Sequence, residues 1–250
     1  MKKLFLLVFP LIGFSSAWGE ISIQNDQQFF GDDGTLHIVG EIQNGFNAPI
    51  NQIEIQAMVY SEGVLLDTIK TTPMLNTVMP DMKNPFDILL PRNIASIVDE
   101  YSLNVSYEIT QPKSQVIDII ESEFTQDNFD NLMITGTVVN KGEITANTIV
   151  VVATLYDKTG NVAAVSKTHV EPDYLRVNEE SFFFVSVPDK TQSNLIVDYS
   201  LVAESEEYTA VPEFPFGSMI LLTTSLSAYV ILTRYSSKVI ANLVSATNLK

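Results

Sequence analysis

The 250-residue chain carries one pattern twice. Leu36-His-Ile38-Val-Gly40-Glu-Ile42-Gln-Asn44 returns 96 positions later as Leu132-Met-Ile134-Thr-Gly136-Thr-Val138-Val-Asn140. The same offset pairs Ile53, Ile55, Ala57, Val59 and Tyr60 with Ile149, Val151, Ala153, Leu155 and Tyr156, and Phe86 with Phe182. Two inserted residues near the end bring Tyr101-Ser102-Leu103 onto Tyr199-Ser200-Leu201. The period is longer than that of a solenoid and suits two tandem domains, each of a size that folds alone.

The pattern inside each copy is that of strands. Leu36, Ile38, Gly40 and Ile42 alternate with more polar neighbours, a period of two. Asn44-Gly45 and Asn140-Lys141-Gly142 supply residues that accept a positive φ, so a turn should follow each first strand. Ile53 to Tyr60 alternates again, and Ser61-Glu62-Gly63 or Asp157 to Gly160 turns the chain once more. Evenly spaced short strands with turn residues between them predict an all-β chain of antiparallel sandwiches. The boundaries that follow are 20–112 for the first sandwich and 113–203 for the second.

Both ends differ from this middle. Met1-Lys2-Lys3, the apolar run Leu4 to Phe14 and the small residues Ala17 and Gly19 have the form of an export signal over 1–19, with cleavage expected before Glu20. Phe214 to Thr233 is twenty residues without a charge, the length of one bilayer core as a helix. Arg234 and Lys238 follow at once, which predicts a membrane span over 214–233 and a basic cytosolic tail over 234–250. Residues 204–213, rich in Glu, read as an acidic linker.

This division gives the charge its meaning. The whole chain carries −16, but all 30 acidic residues and only nine of the 14 basic ones lie between Glu20 and Glu213, a net −21 for the exported part. Such a surface argues against nucleic acid, which needs clustered Lys and Arg. The absence of cysteine excludes a disulfide framework, a thiolate zinc site and a cysteine nucleophile. With 46% apolar residues, the chain is not a disordered acidic tail.

The Leu-x-Ile-x-Gly-x-Ile/Val-x-Asn motif, the later Ile-x-Ile/Val-x-Ala-x-Val/Leu-Tyr and the late Phe together resemble the FxLYD family of extracytoplasmic immunoglobulin-like domains. Leu155-Tyr156-Asp157 matches the last three letters of the family name, and Ala153 stands where the family has Phe. The first repeat departs further, with Val59-Tyr60-Ser61. The resemblance covers roughly 30–109 and 126–203. It implies two tandem immunoglobulin-like sandwiches of a surface or secreted protein, and it carries no catalytic residues. Pro212-Glu213-Phe214, ahead of an apolar run and basic residues, resembles the archaeal PEF-type sorting signal. That resemblance implies an archaeal cell surface and removal of the span by an archaeosortase. A retained span is the alternative.

Nothing in the sequence assembles a catalytic site. There is no phosphate loop, GxSxG elbow or HExxH, and no cofactor is expected. Asp32 and Asp33, with Asp127 and Asp130, precede the first strand of each repeat and are weak calcium candidates that read equally well as turns. Asn104-Val105-Ser106 is a candidate glycosylation sequon inside an expected strand. On the second main strand, Glu54, Gln56 and Met58 of the first repeat become Val150, Val152 and Thr154 in the second, and Phe183 replaces Asp87. Val150, Val152 and Phe183 are therefore expected to form a covered face, against the other domain, a partner or a second copy.

The expected protein is a non-enzymatic, single-pass surface protein of the cell membrane. Its two modules would build the envelope or bind a protein partner. The alternative is an accessory subunit that docks onto a membrane complex through the second sandwich. A hydrolase is the third and least supported class.

Overall fold

The computed structural model describes residues 20–126, 131–187 and 190–210. The chain is all-β over these residues, with a single four-residue helix, Arg92–Ala95. The expected signal over 1–19, the span and the tail lie outside them. Among the described residues no helix is long and apolar enough to cross a membrane.

The first repeat contributes β1 (Ile21–Phe30), β2 (Leu36–Asn44), β3 (Ile50–Ser61), β4 (Val64–Thr71), β5 (Lys83–Leu90) and β6 (Glu100–Ile109). They form two three-stranded antiparallel sheets, β1-β2-β5 and β4-β3-β6. Period-two alternation sends one face of each sheet inward. Ile38, Ile42, Phe86, Ile88 and Leu90 of one sheet thus share a single core with Ile53, Ile55, Ala57 and Val59 of the other.

The second repeat contributes β7 (Ser114–Gln126), β8 (Leu132–Asn140), β9 (Ala146–Asn147), β10 (Val150–Asp157), β11 (Val162–His169), β12 (Tyr174–Leu175), β13 (Glu180–Ser186), β14 (Ile196–Glu204) and β15 (Tyr208–Ala210). The sheets β7-β8-β13 and β11-β10-β14 copy those of the first repeat and enclose a core of Ile134, Val138, Val151, Ala153, Leu155, Phe183, Val185 and Leu201. Here β15 joins the two sheets into one seven-stranded order. It runs antiparallel to β14 at Glu204–Thr209 and parallel to β7 at Tyr208–Ser114.

The stretch expected as an acidic linker is therefore built into the fold as far as Ala210. Glu204 ends β14, and Ser205 anchors a turn by accepting the Tyr208 amide at 2.9 Å. The Tyr208 hydroxyl accepts the amides of Glu143 and Ile144 at 3.1 and 3.0 Å. Its ring occupies the space a side chain at Gly142 would fill, which is why the β8 turn carries glycine there.

The repeated motif has a physical reason at each end. Asn44 and Asn140 are fully buried and make the same bonds. The Asn44 amide donates to Ala48 O and Val78 O, both at 2.9 Å, and its oxygen accepts the Phe46 N–H at 3.0 Å. Asn140 donates to Ile144 O and Leu175 O at 2.8 and 2.9 Å and accepts the Gly142 N–H at 2.8 Å. One side chain thus satisfies three backbone groups that a turn would otherwise bury unpaired. The central glycine is a seat for an aromatic ring. Gly40 faces Phe86 across the strand pair, and a methyl added there would come within 2.7 Å of the ring.

In the second repeat the residue opposite Gly136 is Phe183, not Phe182. The gapless pairing of Phe86 with Phe182 slips by one residue, because the β10–β11 turn holds one residue more than the β3–β4 turn. Tyr60 faces Leu65, whereas Tyr156 faces Val162. In a strand, a slip of one exchanges inside and outside. Phe183, expected on the outward face, is 1% exposed in the core, and Phe182 and Phe184 point out.

Candidate functional site

The outward face of β10 and β11 is apolar because it is covered. Val150 and Val152 are buried, and Val152, Val162 and Val165 form one cluster with Val39 of β2 and Leu75 of the β4–β5 connection. Phe29, Met74, Tyr156 and Val202 close its margin. The covered face is thus a seam between the two repeats, formed by β10–β11 of the second against β1-β2-β5 of the first. Of the three residues expected there, Val152 belongs to the cluster, Val150 is buried beside the Glu204 cleft, and Phe183 sits in the core of the second repeat.

Two buried carboxylates pin this seam. Glu41 extends outward from β2 and is fully buried. It is ion-paired to Lys83, accepts the Asn25 amide at 2.6 Å, and accepts the Tyr156 hydroxyl from the second repeat at 2.9 Å. Burial, and then the negative charge of Glu41, raise the Tyr156 phenol well above its ordinary value of 10.0. Glu204, at the end of β14, reaches the other way. It accepts the amides of Asn76 and Thr77 at 2.7 and 3.0 Å and pairs with Lys113 at 3.1 Å.

Smaller contacts extend the seam. Lys167 donates to Met74 O at 2.7 Å, and Gln27 donates to Val162 O at 2.7 Å. Beyond the β13 end, the Lys190 amide donates to Asp32 at 3.2 Å. A cleft of about 230 Å³ opens beside Glu204, lined also by Lys167, His169, Thr148 and Glu206. Lys167 and Glu204 are already engaged in holding the repeats together, and Glu206 accepts the Thr148 hydroxyl at 3.0 Å. The charges around the cleft therefore do structural work.

The other candidate residues fall elsewhere. Asp33 accepts the Thr35 amide at 2.8 Å in the turn after β1, and that bond holds its carboxyl below the ordinary carboxylate range. Among the described residues no group of three or more His, Asp and Glu side chains is placed to hold a metal. Asn104 is exposed on β6, the outer strand of its sheet, and its side-chain oxygen accepts the Val105 amide at 3.0 Å. Glu20 is exposed and its carbonyl accepts the Gly45 amide at 3.1 Å. Ala17, Gly19, Asp127, Asp130, Pro212, Glu213 and Phe214 lie outside the described residues.

Glu41, Tyr156 and Glu204 were not candidates in the sequence. A signal was present in the repeat itself, since Glu41 and Val39 stand where the second copy has Thr137 and Thr135.

No known family matches the chain, and no curated protein matches it. Similar solved structures include the exo-chitosanase CsxA of Amycolatopsis orientalis, 12% identical over 76% of this chain and 26% of that one, at a TM-score of 0.27. Red sea bream transglutaminase is 12% identical over 79% of this chain and 31% of that one, at 0.24. A β-glucuronidase of glycoside hydrolase family 2 is 12% identical over 77% and 24%, at 0.27. The chain thus spans a third or less of each of these proteins, and scores this low tie it to none of their activities.

Proposed function

We propose that this chain is a non-enzymatic, membrane-anchored protein of an archaeal-type cell surface. Its two immunoglobulin-like, FxLYD-like modules act as one stiff body that builds the envelope or binds a protein partner. The observation that carries this reading is the seam. Two repeats that could have been joined as beads are instead fused by an apolar cluster flanked by buried Glu41 and Glu204. Conserving the relative orientation of two modules serves load-bearing or presentation.

The ends of the sequence support the surface placement. A signal over 1–19 exports the repeats, and the span over 214–233 holds them until an archaeosortase removes it, or permanently. The accessory-subunit reading relied on Val150, Val152 and Phe183 as a free docking face. The first repeat packs on Val152 and Phe183 lies in the core, so neither is free to dock and the reading loses that support.

Cell fractionation tests the proposal. The chain should enter the envelope fraction, resist extraction by high salt and carbonate while the span is retained, and begin at Glu20. Recovery from the cytosol with Met1 intact would overturn it.

A further inference from the structure

The seam joins two different faces, and each face has a counterpart in the other repeat. In the first repeat it uses Val39 and Glu41 of β2, flanked on β5 by Asp87 and Pro85. The counterparts in the second repeat are Thr135 and Thr137 of β8, flanked on β13 by Phe184 and Phe182. In the second repeat the seam uses Tyr156, Val162, Val165 and Lys167. The strand register gives their counterparts as Tyr60, Leu65, Thr68 and Lys70.

Both counterpart faces are exposed and each carries large apolar side chains, although Gln56 and Thr68 stand in the first repeat where the seam has Val152 and Val165. Phe182 and Phe184 are 61% and 45% exposed at positions where the first repeat has Pro85 and Asp87. At the other end, Leu65 is 52% exposed where Val162 is fully buried, with Val64 and Leu66 beside it at the β3–β4 tip. Large apolar side chains grouped on an otherwise acidic, exported surface mark contact sites.

We propose that the Phe182–Phe184 face of one copy receives the β3–β4 face of a second copy, repeating between chains the packing that the seam makes within one. The occupant is a second copy because both halves of the contact are present on one chain, at positions related by the same register as an interface already formed. Such a contact is heterologous. Each chain keeps one open face at either end, so association continues head to tail into a row. Lys70, the counterpart of Lys167, would be brought toward Glu171, the counterpart of Met74. Acidic groups also flank both faces: Glu62 and Asp67 at the tip, and Glu121 and Glu123 opposite Thr137 and Thr135. Association is therefore driven by apolar burial and strengthened by salt, which screens the repulsion.

The inference deepens the envelope-building reading and rests on it. A chain found at the surface as single copies sinks the assembly alone. A cytosolic chain sinks the surface reading, and the cross-links still judge the contact.

The cysteine-free chain makes the test direct. Leu65→Cys and Thr135→Cys are prepared in the full chain in detergent, singly and together, and oxidised. The double variant should give a ladder of dimers, trimers and longer species, a mixture of the two single variants dimers only, and each single variant alone none. A disulfide dimer of Thr135→Cys alone would mean two-fold pairing of the Phe faces and overturn the proposal. A single-chain mass by sedimentation at high salt, with no ladder, would overturn it as well. Phe184→Asp, which restores the residue of the first repeat, should keep the unfolding temperature and abolish the ladder. A ladder that survives it also counts against the proposal.

Discussion

The Tyr156 hydroxyl donates to the Glu41 carboxylate at 2.9 Å, joining two residues 115 positions apart across the seam. Glu41 is fully buried, so each of its partners matters more than a surface pair would. Tyr156→Phe should destabilise the chain by about 2 kcal/mol, the scale of a hydrogen bond to a buried charge. Chemical denaturation of both proteins measures this.

The same pair predicts an alkaline limit. The Tyr156 phenol is raised in the fold, so the protonated form is the one the fold favours. Its contribution is complete below the ordinary value near 10.0 and is lost as pH rises toward the higher folded value. Stability should therefore fall above pH 10, with Tyr101, raised first by burial and then by its bond to Asp26, adding to the slope. Tyr156→Phe should flatten the slope, as followed by unfolding midpoints between pH 9 and 11.

Glu204 governs the other side of the seam. Glu204→Ala leaves the Asn76 and Thr77 amides without their acceptor and Lys113 with only the Ser205 carbonyl, at a cost of about 3 kcal/mol. Hydrogen exchange at the amides of Asn76 and Thr77 should accelerate more than at core amides such as Ile55.

Acid acts through the β14–β15 turn. Burial pushes the Glu207 carboxyl up, but the Asn147 side chain and backbone N–H, at 2.6 and 2.8 Å, outweigh it and hold it below its ordinary value of 4.5. A lowered carboxyl stabilises the fold above the ordinary value and loses that effect as pH falls through the folded one. Glu207→Gln should remove part of the stability difference between pH 6 and pH 3 in thermal unfolding.

The duplicated asparagine offers a paired test. Asn44→Ala and Asn140→Ala each strand two carbonyls and one amide, and each should cost about 3 kcal/mol. Similar values from calorimetry would establish the motif as one structural device used twice.

What the sequence made legible follows from range. Strand alternation and the Leu-x-Ile-x-Gly-x-Ile/Val-x-Asn motif are local, and they locate β2, β8 and β10 within a residue and β3 within three. The apolar switch from Glu54 and Gln56 to Val150 and Val152 announced a covered face. It did not say what covers it, because Val39 and Leu75 approach only through the tertiary fold. Phe183 was misassigned for a geometric reason, since one extra residue in a turn far upstream exchanges inside and outside on β13. The acidic run after Glu204 looked like a linker by composition. Its burial depends on Tyr208 finding the space left by Gly142 more than sixty residues earlier.

The proposed topology puts the two fused repeats outside the cell, held by the C-terminal segment. Protease added to intact cells, with antibodies to the repeats and to a tag placed after Lys250, tests it most directly. The repeats should be cut or shaved from the surface while a retained tail stays protected. Intact repeats together with a digested tail would contradict it.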